Sequence, residues 1–145
     1  MRYIDISSYK AINLDRHVVE TPFTGKHCTI RNPITGKLEV VLYEDGVLET
    51  LPGFMHDWAS GPTFDTKKNR IAALEHDALF RLLRSGKVDH FGWKEADKFL
   101  QQRLKDNGMS AFRAWVWYAG RQMPFVARGA QAKPTEEPAY TVQVV

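Results

Sequence analysis

Two residues in the second half of the chain, His76 and Asp97, fall on the apolar side of segments with helical periodicity. Counting about 100° per residue, His76 lies among Leu79, Phe80 and Leu83, while Asp97 lies beside Trp93, Leu100 and Leu104. An inward ring and an inward carboxylate need partners, because an unpaired buried polar group is costly. His76 stands eight residues before the end of its segment and Asp97 four residues into the next. An antiparallel hairpin therefore brings them to similar depth. A carboxylate on one imidazole nitrogen fixes the tautomer and raises the basicity of the other, as a general base acting on water requires. The plain alternative is that the two groups only satisfy each other inside the core.

A further set of ligating groups surrounds this pair in the sequence. Asp77 follows His76 and turns about 100° away from it. Gly53-Phe-Met-His-Asp-Trp-Ala-Ser-Gly-Pro62 carries a second His-Asp pair, His56-Asp57, beside glycines that let backbone carbonyls turn toward a common point. Asp57 and Asp77 with several carbonyls make an all-oxygen set suited to calcium; His56 with His76 and the aspartates would instead suit zinc or another transition metal. Either site requires the loop and the helix to meet in space.

The elements that must position these groups follow from turn and period signals. Asn32–Lys37 and Glu44–Gly46 are turn clusters separating strands at His27–Arg31, Leu38–Tyr43 and Val47–Leu51, with Ile12–Glu20 a further candidate. Lys67 to Arg84 is an amphipathic helix with Arg70, Asp77, Arg81 and Arg84 on one side, ended by Ser85-Gly86. Trp93 to Asp106 is a second helix. A third, capped by Ser110, runs from Ala111 to Met123 with Phe112, Trp115, Val116 and Ala119 as its inward stripe. After Pro124 the chain reads as loop, Gln131–Pro138 as linker, and Tyr140–Val145 as a strand that returns to its own sheet or adds to a neighbour's edge. The expected fold is α+β: a small N-terminal antiparallel sheet packed on a three-helix unit. Residues 1–128 form one domain, 1–63 mostly strand and loop and 64–128 helical, and 129–145 form a tail.

The run Leu51-Pro52-Gly53-Phe54, Asp57, Ala59-Ser60, Pro62, Ala72-Ala73, His76-Asp77, Phe80, Ala96-Asp97, Phe99, Arg113-Ala114-Trp115 and Tyr118 to Arg121 resembles a family of small, functionally unassigned proteins of tailed phages and prophages, domain-of-unknown-function family 1353. His56 stands where that family more often has threonine, and Phe80 where it more often has tyrosine. The resemblance implies a virion or tail-associated protein, located in the virion or in the host cytoplasm during assembly, with other phage structural proteins as partners. More distantly, His76-Asp77, Phe80 and Ala96-Asp97 are similar to the active-site helices of phospholipases A2, especially the disulfide-free domain of parvovirus capsids. That similarity implies His76 as the base activating water, Asp97 as its orienting partner and Asp77 as ligand of a calcium ion, with phospholipid as substrate. The glycine-rich calcium loop of those enzymes is not present in recognisable form. A second reading keeps the phage association and makes the protein a non-catalytic virion or tail-assembly component with a purely structural His-Asp cluster.

Composition narrows the classes. The chain has 145 residues, 43% hydrophobic and 26% charged, the balance of one globular domain. No stretch approaches the roughly 20 apolar residues of a membrane span, and the N-terminal residues have no signal-peptide core. The single cysteine, Cys28, excludes an internal disulfide and a thiolate metal site. The net charge of +3 is uneven: 13 Lys/Arg against 7 Asp/Glu between residues 64 and 128, but 6 against 8 before and 1 against 2 after. A basic middle suits an anionic partner such as phospholipid head groups or nucleic acid. Trp93, Trp115, Trp117 and Tyr118 offer a lipid-contacting or stacking surface, although tryptophans at helical spacing are more often core. Arg113 and Arg121 are candidates for phosphate binding or for capping and solvating the third helix.

Overall fold

In the computed structural model, which describes residues 2–6, 10–57, 67–131 and 141–144, the chain is α+β with two antiparallel sheets, four helices and a C-terminal strand. The strands are β1 (Tyr3–Asp5), β2 (Lys10–Asn13), β3 (His17–Glu20), β4 (Cys28–Arg31), β5 (Leu38–Leu42), β6 (Val47–Thr50), β7 (Met55–Asp57) and β8 (Thr141–Val144). The helices are α1 (Lys67–Arg84), α2 (Trp93–Asp106), α3 (Ala111–Arg121) and α4 (Pro124–Gln131).

The expected single sheet is two. Ile12–Glu20 does not run as one strand but breaks at Leu14–Arg16, so β2 joins the three-stranded sheet β1-β2-β7 and β3 joins the five-stranded sheet β3-β6-β5-β4-β8. Arg2 closes the break by binding Asp15 through its backbone N–H and guanidinium. Gly46 is required where the β5–β6 hairpin meets the end of β3. Its φ is +90°, its carbonyl accepts from the Thr21 N–H and hydroxyl, and a Cβ there would lie 2.3 Å from the Thr21 carbonyl oxygen.

β8 takes the first of its two expected courses. It pairs with β4 from Cys28↔Val144 to Arg31↔Thr141, and Val142 is buried in the main core. The proposed linker falls largely outside the described residues. Pro124 starts a helix where a loop was expected, because its fixed φ and missing N–H suit the first helical position.

α1 packs against both the larger sheet's core and the smaller sheet's β7. Phe54, Leu74, Leu79, Leu82 and Phe80 join Ile30, Val40, Leu42 and Leu48 in the main core, while Ala72, Leu100, Leu104, Ala114 and Trp117 fill a second cluster among α1, α2 and α3. The side of α1 that reads as polar is therefore covered: Arg70 and Arg81 are buried, Arg70 over the Tyr3 ring and against Asp5, Arg81 over the Phe54 ring. Sequence periodicity describes this helix as amphipathic; neighbours on every side make it a buried one.

The third helix also differs in facing. Ala114 and Trp117 point inward, whereas Phe112 and Trp115, expected to do so, are 72% and 55% exposed. The inward stripe is set by Ala114, whose small side chain lets α3 pack closely on α2.

Gly46→Ala should lower stability by about 2 kcal/mol or more, through both a positive φ and a backbone clash, and Gly36→Ala, at φ +71° in open space, by about 1 kcal/mol. Urea midpoints compared at constant slope check the order of the two.

Candidate functional site

Asp97 reaches the interior because α2 presents Ala96, Leu100 and Leu104 to α1 and α3, with Asp97 among them. Its carboxylate accepts three hydrogen bonds. His76 Nε2 donates to Oδ1 at 2.6 Å, Arg121 Nε donates to the same oxygen at 2.8 Å, and Gln122 Nε2 donates to Oδ2 at 2.9 Å. His76 and Asp97 are both buried. The inward hairpin geometry expected of His76 and Asp97 is thus present.

The electrostatics fix the proton positions. Burial raises the Asp97 carboxyl, but the hydrogen bond from His76, with the charge and hydrogen bond of Arg121, outweighs it and holds the group below its ordinary range. An ionised Asp97 requires a donor, so the proton sits on His76 Nε2. Burial first, and the Arg121 charge second, push the His76 imidazole well below its ordinary value in spite of Asp97. At neutral pH the ring is therefore uncharged, and its lone pair is on Nδ1. Phe80 packs on the ring at 4.1 Å between centroids, with Trp93 edge-on to Phe80 at 4.9 Å.

Asp77 is drawn into a different set. Its Oδ2 lies 3.2 Å from Arg81 Nη2 and its Oδ1 3.8 Å from Arg84 Nη1. Both oxygens face guanidinium groups, so the calcium implied for this residue does not fit it as placed: a cation would have to displace two others. The side chain of Asp57 lies outside the described residues, as do Trp58 to Pro62. His56 sits in β7 opposite Ala11, fully buried, with Nε2 donating to Asn13 Oδ1 at 3.0 Å. Burial, then Arg81 and Arg70, lower its pKa to about 4. Its Nδ1 has no hydrogen-bond partner among the described residues, nor have Asn13 Nδ2 and Thr50 Oγ1. Among the described residues no three histidine, cysteine or carboxylate side chains form a group able to hold a metal ion.

Sequence reasoning missed several partners. Gln122 went unremarked and Arg121 was expected to cap or solvate its helix, yet Arg121 falls two turns after Ala114 and on the same face. That spacing was the available signal. A second buried network was not foreseen at all: fully buried Glu75 accepts from His17 Nε2 at 2.7 Å and from Arg103 Nε and Nη2 at 2.8 and 3.1 Å. His17 comes from β3, so no spacing within one helix reveals it.

A cleft of about 620 Å3 is floored by Phe23, Phe91 and Phe99 and bordered by His90, Lys98 and Arg103. Phe99, Gln102, Arg103 and Asp106 line it from the side of α2 opposite Asp97. It is separate from the His76–Asp97 pair.

Compared with models of known protein families, with curated proteins and with solved structures, the chain matches none.

Because His56 and His76 are neutral when folded and ordinary histidines when unfolded, the unfolded chain binds more protons from about pH 6.5 down to about 4. Stability should be fully present above pH 6.5 and fall as pH drops through that window, by on the order of 2–3 kcal/mol for His56 alone. Urea midpoints between pH 7.5 and 4.5 check the sign, and His56→Gln should flatten the slope.

Proposed function

We propose that the chain is a phage-associated hydrolase in which His76 acts as general base on water, with an ester of an anionic lipid as substrate. The 2.6 Å contact between His76 Nε2 and Asp97 Oδ1 carries this reading, since it leaves the Nδ1 lone pair as the proton acceptor. In the reaction water adds to the ester carbonyl carbon as its proton passes to Nδ1, and the imidazolium returns that proton to the departing alkoxide. Asp97 stabilises the transient imidazolium. Because calcium does not fit Asp77 as placed, no step is assigned to it. Arg84 and Arg121 instead lie over the Phe80 ring at 5.6 and 5.0 Å and supply positive charge beside the base for an anionic head group.

A second reading makes the protein a non-catalytic virion or tail-assembly component. Its specific support is that Asp97 collects donors from α1, from α3 and from Gln122 just beyond it, which is what a structural tie among three helices requires. The separate position of the cleft also favours it.

His76→Ala should reduce release of fatty acid from anionic phospholipid vesicles by about 10²-fold or more, with the far-ultraviolet circular dichroism of the folded chain retained. Activity should persist to lower pH than an ordinary histidine base allows, because His76 stays deprotonated there. A wild-type chain without esterase activity, together with a His76→Ala variant that unfolds, decides for the structural reading.

A further inference from the structure

α3 and α4 together expose large apolar side chains, three of them aromatic. Phe112, Trp115, Met123 and Phe125 are 72%, 55%, 50% and 71% exposed, and the Phe112 and Trp115 rings stack with centroids 6.5 Å apart. α3 buries only Ala114 and Trp117, and α4 buries no residue completely. Scattered exposed apolar side chains are ordinary, but large ones on one helix face and on the corner that follows it mark a contact surface.

Charge identifies what the surface contacts. From Asn107 to Thr135 the chain has no aspartate or glutamate, while Arg113, Arg121, Arg128 and Lys133 are all cationic. Within the described part of that stretch, Arg113 and Arg128 are exposed and Arg121 is turned toward Asp97. Tryptophan and phenylalanine on one side of short helices, with arginines around them and no acidic groups, suit the boundary between acyl chains and anionic head groups. No helix of the described residues is long and apolar enough to cross a bilayer, so the helices would lie along the surface.

We propose that the outward face of α3 with the α3–α4 corner is a peripheral docking surface for anionic lipid bilayers, in which Phe112, Trp115, Met123 and Phe125 enter the interface and Arg113 and Arg128 meet the head groups. The surface stands whether or not His76 is a base. A single-stranded nucleic acid could also use aromatic rings and arginines, but it would have no use for the exposed Met123 at the corner.

The full-length chain is sedimented with vesicles of phosphatidylcholine alone and with a minority of phosphatidylglycerol. Binding should be stronger with phosphatidylglycerol and should weaken as salt rises. Phe112→Ser with Trp115→Ser should lower it at least about tenfold, and Arg113→Glu at least about fivefold, from the usual interfacial contributions of aromatic burial and of one basic residue. These side chains are exposed, so thermal melting of the variants should match wild type. Wild type should bind vesicles of non-hydrolysable ether-linked lipids of the same head groups equally well, which separates docking from hydrolysis. The proposal is overturned if wild type ignores anionic vesicles, if the aromatic variants bind as well as wild type, if single-stranded DNA of mixed sequence binds in place of vesicles, or if the same variants instead abolish a dimer measured by sedimentation velocity.

Discussion

A carboxylate taken out of water has to be compensated on the spot, and the helical half of this protein is arranged around one such group. Asp97 enters the interior on α2 and there meets a ring from α1, a guanidinium from α3 and an amide from the residue after it. Removing any one donor leaves a buried negative charge short of a partner, a far larger penalty than the net worth of the contact itself. The three helices are thereby held to one relative placement. Leu100, Leu104, Ala114 and Trp117 supply the burial around it, but apolar contacts alone tolerate sliding that a three-donor carboxylate does not.

The same reasoning accounts for α1, where Glu75, His76 and Asp77 are consecutive and all buried. Successive positions on a helix point about 100° apart, so three adjacent polar residues can be satisfied only if neighbours stand on three sides. Glu75 meets β3 and α2 through His17 and Arg103, His76 meets α2, and Asp77 meets Arg81 and Arg84 on its own helix. Arginines predominate among the partners, and their stems also cover rings: Arg70 over Tyr3, Arg81 over Phe54, Arg121 over Phe80. Guanidinium groups serve here as both counter-charge and packing material.

What was legible in the sequence were the features that a single element determines. The bounds of α1 and α2, the α+β class and the inward facing of His76 and Asp97 follow from periodicity and stop signals. What depends on other elements was not legible. The break between β2 and β3 was hidden because Ile12–Glu20 lacks a glycine or proline to mark it. The facing of α3 was misread because Phe112, Trp115, Val116 and Ala119 are its most hydrophobic stripe, whereas small Ala114 and the bond from Arg121 to Asp97 decide the rotation. Asp77 was assigned to a cation as one of an oxygen set with Asp57 and from the likeness to phospholipase helices, and only the placement of Arg81 and Arg84 shows that cations of the chain's own already face it.

The pairing of β4 with β8 joins residues 28–31 to residues 141–144, the widest separation in sequence that the larger sheet contains. During synthesis the edge of β4, with the Cys28 and Ile30 backbone, stays open until residues 141–144 have left the ribosome. An open strand edge is a template for another chain, and contacts this distant slow folding because the loop must close before they form. β8 therefore acts as a late closure of the sheet, and damage to residues 141–144 would be felt first as misassembly in the newly made protein.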